Sequence, residues 1–283
     1  MINTSLFNAP SMTVAAFGFL ILQTTIAYLI CFVIEGMSPA SESNTPKNLS
    51  INCFLTVLYF ALRITLGSAI TAGMSRLSNN FHLFDLSAIS DHGQWLAGLG
   101  VAAIFLVLHD FVFYWVHRAQ HAWPWLWAEH AVHHSDEHMG VTTSFRHHWL
   151  EAFIDAAFVA GPLILLLKPP TMTALSAYLL TQFYGDMIHL NSTMSLGPLN
   201  RFITNPSVHR IHHSKLPEHL DKNFAAFFPM WDVLFGTYHA PDRSAKLIPT
   251  GLADGSDKID SAAKAFFYPF QRWAIMMLTH LTP

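Results

Sequence analysis

Long apolar stretches alternate with polar, histidine-containing connections along the chain. A helix that spans a membrane needs about 20 mainly apolar residues. The candidate stretches are Ser11–Ile34, Ile51–Met74, Gln94–Val116, Ala152–Leu167 and Thr171–Leu190. Because the fourth stretch is short, it could be a re-entrant or tilted helix rather than a full span. The pattern therefore predicts an all-α integral membrane bundle with four or five transmembrane helices.

The connections between these stretches indicate how the chain is organised. Lys168-Pro169-Pro170 separates the last two stretches, and two adjacent prolines favour a tight helical hairpin there. We expect N-terminal transmembrane helices in residues 1–93, a second domain in 94–241 and a C-terminal tail in 242–283.

The tail contains a further helical pattern. Ser261–Leu281 is rich in aromatic residues, and Lys264, Tyr268 and Gln271 follow one another along a polar stripe. This arrangement predicts an amphipathic helix that lies in the membrane interface. Trp123, Trp125 and Trp127 alternate along the chain and are typical of an interfacial aromatic belt.

Composition narrows the class of protein. The 283 residues are 52% hydrophobic and 12% charged, which disfavours a soluble globule. A net charge of -3 and the absence of a basic stripe exclude a nucleic-acid partner. Cys31 and Cys53 provide neither a disulfide framework nor a cysteine-rich zinc site. Any metal must therefore be bound by nitrogen and oxygen.

Histidine is the unusual residue, with 18 in the chain. Three clusters lie beside the apolar stretches: His117-Arg-Ala-Gln-His121, His130-Ala-Val-His133-His134 and His209-Arg-Ile-His212-His213. Residues three or four apart share one face of a helix, and neutral imidazole is the commonest protein metal ligand. The spacing therefore predicts a metal site built from all three clusters.

Two more histidines are candidates for this site. His189 follows the fifth apolar stretch, where an ionisable side chain is a functional candidate, and we expect it to be a ligand. His148 is a ligand or a supporting residue, with the two roles equally open, while its neighbour His147 faces elsewhere. His109 could be a pocket residue. Nine imidazoles exceed the about four to six positions of one ion, which predicts two metal ions.

Three carboxylates lie in or beside the apolar stretches, where an unpaired charge is expensive. They are Asp110, Glu151 and Asp186. Histidine ligands usually donate their second N–H to a carboxylate or carbonyl group. We therefore predict that these carboxylates accept hydrogen bonds from the histidines, and we expect Asp136 and Glu137 to be solvated loop charges.

Charge placement suggests a topology. If the chain crosses at every predicted span, the three histidine clusters share one side with most of the basic residues. The positive-inside rule then makes that side cytoplasmic, so the metal site would lie in a cytosolic helical cap. Because Thr279–Pro283 contains no retention tetrapeptide, we expect a bacterial inner membrane in preference to the endoplasmic reticulum.

The histidine spacing resembles that of the fatty acid hydroxylase/sterol desaturase superfamily of membrane di-iron oxygenases. Further matches are Asp110 to Tyr114-Trp115, Phe145-Arg146 before His148, Asn223, and Trp231-Asp232 to Gly236-Thr237. The resemblance spans about Gln94 to Pro241 and implies that residues 94–241 form the catalytic domain. One departure is Trp149, because many members have proline after the histidine at this position.

The resemblance implies a chemistry as well as a fold. It implies two iron ions, which zinc may replace in purified protein, with O2 as co-substrate and a lipid, either a sterol or a fatty-acyl chain, as substrate. The HxxxH spacing of the first cluster favours hydroxylation, although desaturation by the same site stays open.

Electrons must come from a separate protein, because the chain has no GxGxxG unit and no CxxCH haem-attachment motif. A cytochrome b5-like protein or a ferredoxin with its reductase is expected. Four basic residues form a candidate docking patch, although the positive-inside bias explains each of them more simply: Arg201, Arg210, Lys215 and Lys222.

A protein of a different class, a membrane metal transporter or sensor, is the competing interpretation. A transporter would carry ionisable residues near the middle of several spans. The histidines of this chain instead gather at one end of the helices, which disfavours transport.

Overall fold

The computed structural model describes residues 10–37, 39–42, 44–87, 95–169, 171–241, 248–253 and 258–281. Regular structure in these residues is helical, apart from isolated bridges between Pro39 and Ser192 and between Ser214 and Thr250. The all-α prediction is confirmed. The helices are α1 Pro10–Met37, α2 Pro46–Leu62, α3 Ser68–Ser78, α4 Trp95–Ala122, α5 Pro124–His134, α6 Glu151–Ile154, α7 Gly161–Leu167, α8 Thr171–Ile188, α9 Pro206–His212, α10 Met230–Phe235 and α11 Ala262–Leu281.

Within the described residues, two helical segments are long and apolar enough to cross a membrane, Pro46–Ser78 and Ala97–Ala122. Only 28% and 22% of their apolar windows are buried inside the protein, so most of their apolar side chains face outward. Such surfaces are costly in water and are covered by lipid in a membrane protein. The two segments coincide with the second and third predicted spans, although Gln94 lies outside the described residues. The total of four or five spans stays a prediction.

Wide π-helical turns interrupt two of the apolar segments. Arg63–Gly67 joins α2 to α3, and Asp155–Ala160 joins α6 to α7. The crowded backbone around the second turn requires glycine at position 161, because a Cβ atom there would lie 2.9 Å from the carbonyl oxygen of Ala156. Such turns often occur at functional sites.

The long helix α4 continues beyond its apolar part to Ala122. Trp123 has extended backbone, and Pro124 opens α5, which then packs back against α4. Proline is favourable at a first helical position because its missing N–H would have no intrahelical partner. This turn brings the first two histidine clusters face to face.

The segment after α5 is buried, which corrects the expectation that Asp136 is a solvated charge. Asp136 is 1% exposed and accepts hydrogen bonds from Asn48, Asn52 and Thr143 at 2.7–3.0 Å. Burial would raise its pKa, but the nearby Arg146 guanidinium and these donors outweigh it and leave the pKa lowered. This network ties the segment to α2.

The tail helix α11 begins within one residue of its predicted start, but Tyr268, the middle residue of the predicted polar stripe, is buried, while Lys264 and Gln271 are exposed. Its position in a membrane interface stays a prediction. Tyr268 is 9% exposed and packs in a core with Ala131 and Val132 of α5. Trp273 donates a hydrogen bond to the carbonyl oxygen of Trp125 at 2.8 Å. The helix therefore packs on α5.

The aromatic belt is also partly corrected. Trp123 and Trp125 are 62% and 46% exposed, as anchors in an interface would be. Trp127 instead packs against the rings of His121 and His134, with centroids 5.0 and 5.4 Å apart. It is partly buried and supports the histidine clusters.

Candidate metal centre

Nine of the ten histidines predicted as ligands converge in two groups. In each group the ligand nitrogens lie within 4.8 Å of one another. The five-histidine cluster contains His117, His121, His130, His134 and His212. The four-histidine cluster contains His133, His189, His209 and His213. Their side chains are buried or nearly so.

Helical periodicity explains how each HxxHH motif serves both clusters. Positions i and i+4 share a helix face, whereas position i+3 projects about 60° away from i and about 100° from i+4. His130 and His134 of α5 therefore enter the five-histidine cluster, while His133 enters the other. The motif at α9 has the opposite arrangement. His209 and His213, at positions i and i+4, enter the four-histidine cluster, and His212 enters the five-histidine cluster.

The nitrogen separations fit metal binding. The Nε2 atoms of His117 and His130 are 3.0 Å apart, and those of His189 and His209 are also 3.0 Å apart. At a metal–nitrogen distance of about 2.1 Å, two nitrogens bound at right angles lie about 3.0 Å apart. Each pair can therefore bind one ion without rearrangement.

Backbone carbonyls fix which nitrogen faces inward. The Nδ1 atoms of His117, His189 and His212 lie 2.7, 2.6 and 2.9 Å from the carbonyl oxygens of Phe224, Gly185 and Lys222. A carbonyl only accepts, so Nδ1 carries the hydrogen and Nε2 presents a lone pair to the cluster.

Several of these inward nitrogens have no partner within the described part of the protein. Nε2 of His212 and both ring nitrogens of His213 are buried without a hydrogen bond. Buried polar atoms are normally satisfied, and a cation satisfies converging lone pairs. The residues thus fit two metal ions, one in each cluster.

Burial keeps these imidazoles in the neutral form that binds metal. It lowers the pKa of the ligands outside the apolar helices well below the usual value, and the neighbouring imidazoles add to the effect. The residues concerned are His133, His134, His209, His212 and His213.

The two clusters are in direct contact through their imidazole rings. The rings of His134 and His213 stack with their centroids 4.4 Å apart, and those of His133 and His213 are 4.5 Å apart. The two HxxHH motifs therefore face each other, and ions in the two clusters would be neighbours.

His148 lies outside both clusters. Its Nε2 is 3.0 Å from the carbonyl oxygen of Phe266 in α11. His147, which the sequence pattern directs elsewhere, stacks on His133 with centroids 4.2 Å apart and forms a smaller group with His130 and Glu151. Helical periodicity does not apply here, because the two histidines lie in a non-helical turn.

Glu151 is the predicted carboxylate that reaches a histidine. Its Oε2 lies 4.0 Å from Nδ1 of His130 and accepts a hydrogen bond from Gln120 at 2.8 Å. Burial would raise the pKa of Glu151, but the contacts with His130 and His147 outweigh it and hold the pKa low.

Sequence reasoning missed Glu129, a second buried carboxyl group beside this site. It is 1% exposed and shares the Gln120 amide with Glu151. Burial, followed by the charge of Glu151, raises its pKa well above the usual value, which favours the protonated form. The sequence signal that could have identified Glu129 was its position directly before the predicted ligand His130.

Contrary to the prediction, neither Asp110 nor Asp186 accepts a hydrogen bond from a cluster histidine. Asp110 accepts hydrogen bonds from the backbone N–H groups of Ala226, Phe227 and Phe228 at 2.8–3.0 Å. Asp186 accepts one from the Ser144 hydroxyl at 2.6 Å. Backbone donors satisfy Asp110 fully, so its effect on the site is indirect.

That indirect effect passes through the segment 222–228, whose carbonyls bind His117 and His212. Asp232 accepts from the N–H groups of Phe224 and Ala225 at 2.8 and 3.0 Å, so the segment is fixed from two sides. Asn223, at a φ of 57°, donates to the carbonyl oxygens of Val208 and His239. Through these contacts Asn223 and Asp232 support the segment that orients the histidines.

Two cavities reach the clusters from different sides. A cavity of about 130 Å³ contacts both clusters and extends between the apolar helices, where its lining includes Tyr59, Arg63, Phe113, Asp155, Val159 and Gln182. A second cavity, of about 260 Å³, reaches the five-histidine cluster and is lined by Trp127, Asp221, Leu252 and Arg272. The clusters lie between an inner and an outer cavity.

The predicted docking patch is partly wrong. Arg210 is 1% exposed, and its guanidinium lies 3.4 Å from the carbonyl oxygen of Ile248. Burial lowers its pKa to about 10. A buried guanidinium cannot contact an electron-transfer protein, whereas Arg201 is exposed.

Comparison with known proteins agrees with this geometry. Residues 102–237 match the family model for fatty acid hydroxylase. The alkylglycerol monooxygenase of Danio rerio is 33% identical over 79% of this chain and 48% of its own length. That of Homo sapiens is 29% identical over 97% of this chain and 58% of its length.

A bacterial relative is also similar. Ornithine lipid hydroxylase OlsE of Rhizobium tropici is 35% identical over 53% of this chain and 45% of its own length. The chain spans about half the length of these curated relatives. No solved structure matches it significantly. From the family match and these relatives, the chain belongs to the fatty acid hydroxylase superfamily, as its histidine spacing predicted.

Proposed function

We propose that this protein is a membrane-bound di-iron monooxygenase that hydroxylates an unactivated C–H bond of a lipid. The observation that carries the proposal is the convergence of nine imidazoles into two adjacent clusters beside a cavity between apolar helices. The relatives support it, since their names are those of lipid oxidoreductases.

The relatives also guide the choice of lipid. They are named for alkylglycerol and for an ornithine lipid, both of which are membrane lipids with polar headgroups. We therefore propose such a lipid as the substrate class, ahead of a sterol or a simple fatty-acyl chain.

Hydroxylation consumes O2, two electrons and two protons, and it yields an alcohol and water. The two irons would supply the reductive activation of O2 that such a C–H bond requires. The chain's own residues bind and orient: the carbonyls of Gly185, Lys222 and Phe224 fix three imidazoles, and Glu151 faces His130. Apolar side chains in the inner cavity exclude water and admit lipid.

The outer cavity fits the expected supply of electrons from a separate donor, either a cytochrome b5-like protein or a ferredoxin with its reductase. The positive-inside rule supports a cytoplasmic metal site in a multi-pass protein. A bacterial inner membrane is our preferred location, with the endoplasmic reticulum as the alternative.

Two alternatives make different predictions. A desaturase would use the same clusters but form a carbon–carbon double bond. A metal-handling protein needs ligands that release their ion, whereas the nine imidazoles are buried or nearly so and backbone carbonyls hold three of them in place. That rigidity favours a resident cofactor.

Metal analysis and product analysis test the proposal together. We expect about two metal ions per purified chain, and iron-loaded protein with a reductase and ¹⁸O2 should yield a lipid that contains one heavy oxygen atom. His133→Ala and His212→Ala should lose metal and activity, while His138→Ala, outside both clusters, should keep both. One metal or none would reject the di-metal site, and a product lighter by two hydrogens would identify a desaturase.

A further inference from the structure

The two π-helical turns face each other and hold an ion pair. Nη1 of Arg63 lies 3.2 Å from Oδ2 of Asp155, and the Tyr59 hydroxyl donates to the same oxygen at 2.9 Å. The two charged side chains are 14% and 21% exposed. Each is the first residue of its turn, Arg63–Gly67 and Asp155–Ala160.

This ion pair lies in an environment that disfavours it. Arg63 belongs to an apolar segment long enough to cross a membrane, where charged side chains are rare and mostly functional. A buried ion pair is often no more stabilising than apolar side chains of similar volume. Stability alone therefore gives no reason for the pair.

The ion pair lines the inner cavity next to both histidine clusters. Arg63 and Asp155 share its lining with His130, His133 and His209. A lipid that reaches the clusters through this cavity therefore passes along a polar wall.

Outside the candidate metal groups, two described polar atoms of the same lining are buried and lack a hydrogen-bond partner. They are Nδ1 of His109 and Oε1 of Gln182. Buried polar atoms are normally satisfied by protein, water or ligand. Their position indicates that a bound molecule supplies the missing partners.

The chemistry of these atoms selects the ligand. Asp155 neutralises Arg63, so the wall offers no excess charge for a phosphate or a carboxylate. An amide oxygen accepts hydrogen bonds, so its partner must carry a donor, which ester and ether oxygens lack. A hydroxyl group is uncharged and can both donate to Gln182 and bond to His109.

We propose that Tyr59, Arg63, His109, Asp155 and Gln182 form a headgroup-binding wall that recognises an uncharged, hydroxyl-bearing lipid headgroup. The wall borders the same cavity as the metal clusters, so it places the oxidised carbon within a few bonds of that headgroup and not in the middle of an alkyl chain. The statement on the oxidised carbon rests on the proposed function, whereas the binding statement does not.

Binding to purified, metal-loaded full-length protein tests the wall without turnover. The probes are a long-chain vicinal diol and its dimethyl ether, which has the same chain but no hydroxyl donors. We expect the diol to bind at least about threefold to tenfold more tightly, the effect of one or two hydrogen bonds.

Two variants locate the preference. Gln182→Leu should remove most of it, and the double variant Arg63→Met with Asp155→Leu, which removes both charges at once, should weaken it with the metal content unchanged. Gln23→Leu is the matched control, because the amide oxygen of Gln23 is also buried and unpartnered but does not line the cavity.

The outcomes separate this inference from the proposed function. Equal binding of diol and ether, or an unchanged preference in Gln182→Leu, would overturn the wall even if the protein oxidises a lipid. Tighter binding of a zwitterionic or anionic lipid than of the diol would overturn an uncharged headgroup. Selective binding of the diol without oxidation would leave the wall intact and reject the proposed function.

Discussion

Nδ1 of His117 lies 2.7 Å from the carbonyl oxygen of Phe224, a residue 107 positions later in the chain. This contact sets the tautomer of a predicted ligand, and Lys222 sets that of His212 in the same way. The orientation of the five-histidine cluster therefore depends on a short non-helical segment. The integrity of that segment can be tested through the carboxylates that hold it.

Replacement of Asp110 should loosen the segment 222–228. Asp110→Asn substitutes an amide for a carboxylate that accepts three backbone N–H groups, so we expect a loss of about 1–3 kcal/mol in the free energy of unfolding. Metal affinity should fall about 10- to 100-fold because two ligands lose their orientation. Thermal unfolding and metal titration measure both, with Asp85→Asn, at a more exposed carboxylate, as the control. Unchanged affinity would show that the segment does not orient the ligands.

Single ligand losses should affect the two clusters unequally. His133→Ala leaves three imidazoles in the four-histidine cluster, whereas His130→Ala leaves four in the other. We expect the larger decrease in bound metal for His133→Ala, since fewer ligands remain. Elemental analysis of the two variants, three residues apart on one helix, gives the comparison. Equal losses would indicate that the two ions bind as a single unit.

The two buried glutamates beside His130 should respond differently to the same change. The raised pKa of Glu129 favours its neutral form, so Glu129→Gln should substitute one neutral group for another and alter stability by less than about 1 kcal/mol. Glu151→Gln removes the negative charge that faces His130, and metal affinity should fall about 10- to 100-fold. Paired metal titrations check this, and similar effects of both changes would contradict the assigned protonation states.

The metal-free protein should lose stability in mild acid. Burial lowers the pKa of the cluster histidines in the folded state, so below a pH of about 6.5 the unfolded chain binds more protons than the folded chain. The free energy of unfolding should therefore decrease as the pH falls from about 7 to 5. Thermal unfolding of chelator-treated protein measures this decrease, and saturation with metal should reduce it. A constant unfolding temperature across this range would contradict neutral, buried imidazoles.

The second π-turn should tolerate no Cβ atom at its end. Gly161→Ala places that atom 2.9 Å from the carbonyl oxygen of Ala156, and we expect a loss of about 1–3 kcal/mol. Gly73→Ala is the control, because a Cβ atom there meets nothing within 4 Å and alanine favours a helix. If the two variants unfold at the same temperature, the turn is not constrained as described.

Local periodicity made much of this site predictable. The extension of α4 to Ala122 and the i, i+4 histidine pairs follow from the spacing within a single helix. Which cluster each histidine joins does not follow from the spacing, because that assignment depends on the way α5 and α9 face each other.

The roles of the acidic residues could not be predicted in this way. The N–H partners of Asp110 come from residues 116–118 positions away, and the partners of Asp136 in α2 are 84 and 88 positions away. A carboxylate beside an apolar stretch signals that some partner exists, but the sequence does not say which. The side-chain directions of His147 and His148 could not be predicted either, because a non-helical turn has no regular periodicity that relates sequence position to side-chain direction.

The exchange of ligands between the clusters has a mechanical consequence. Since α5 and α9 each supply both clusters, the covalent geometry of single helical turns, about 5.4 Å in pitch, would set the spacing of ions bound in them. A shift of α5 or α9 would therefore move ligands of both clusters together. The distance between the two clusters would then depend on these two short helices and not on the fluidity of a surrounding lipid bilayer.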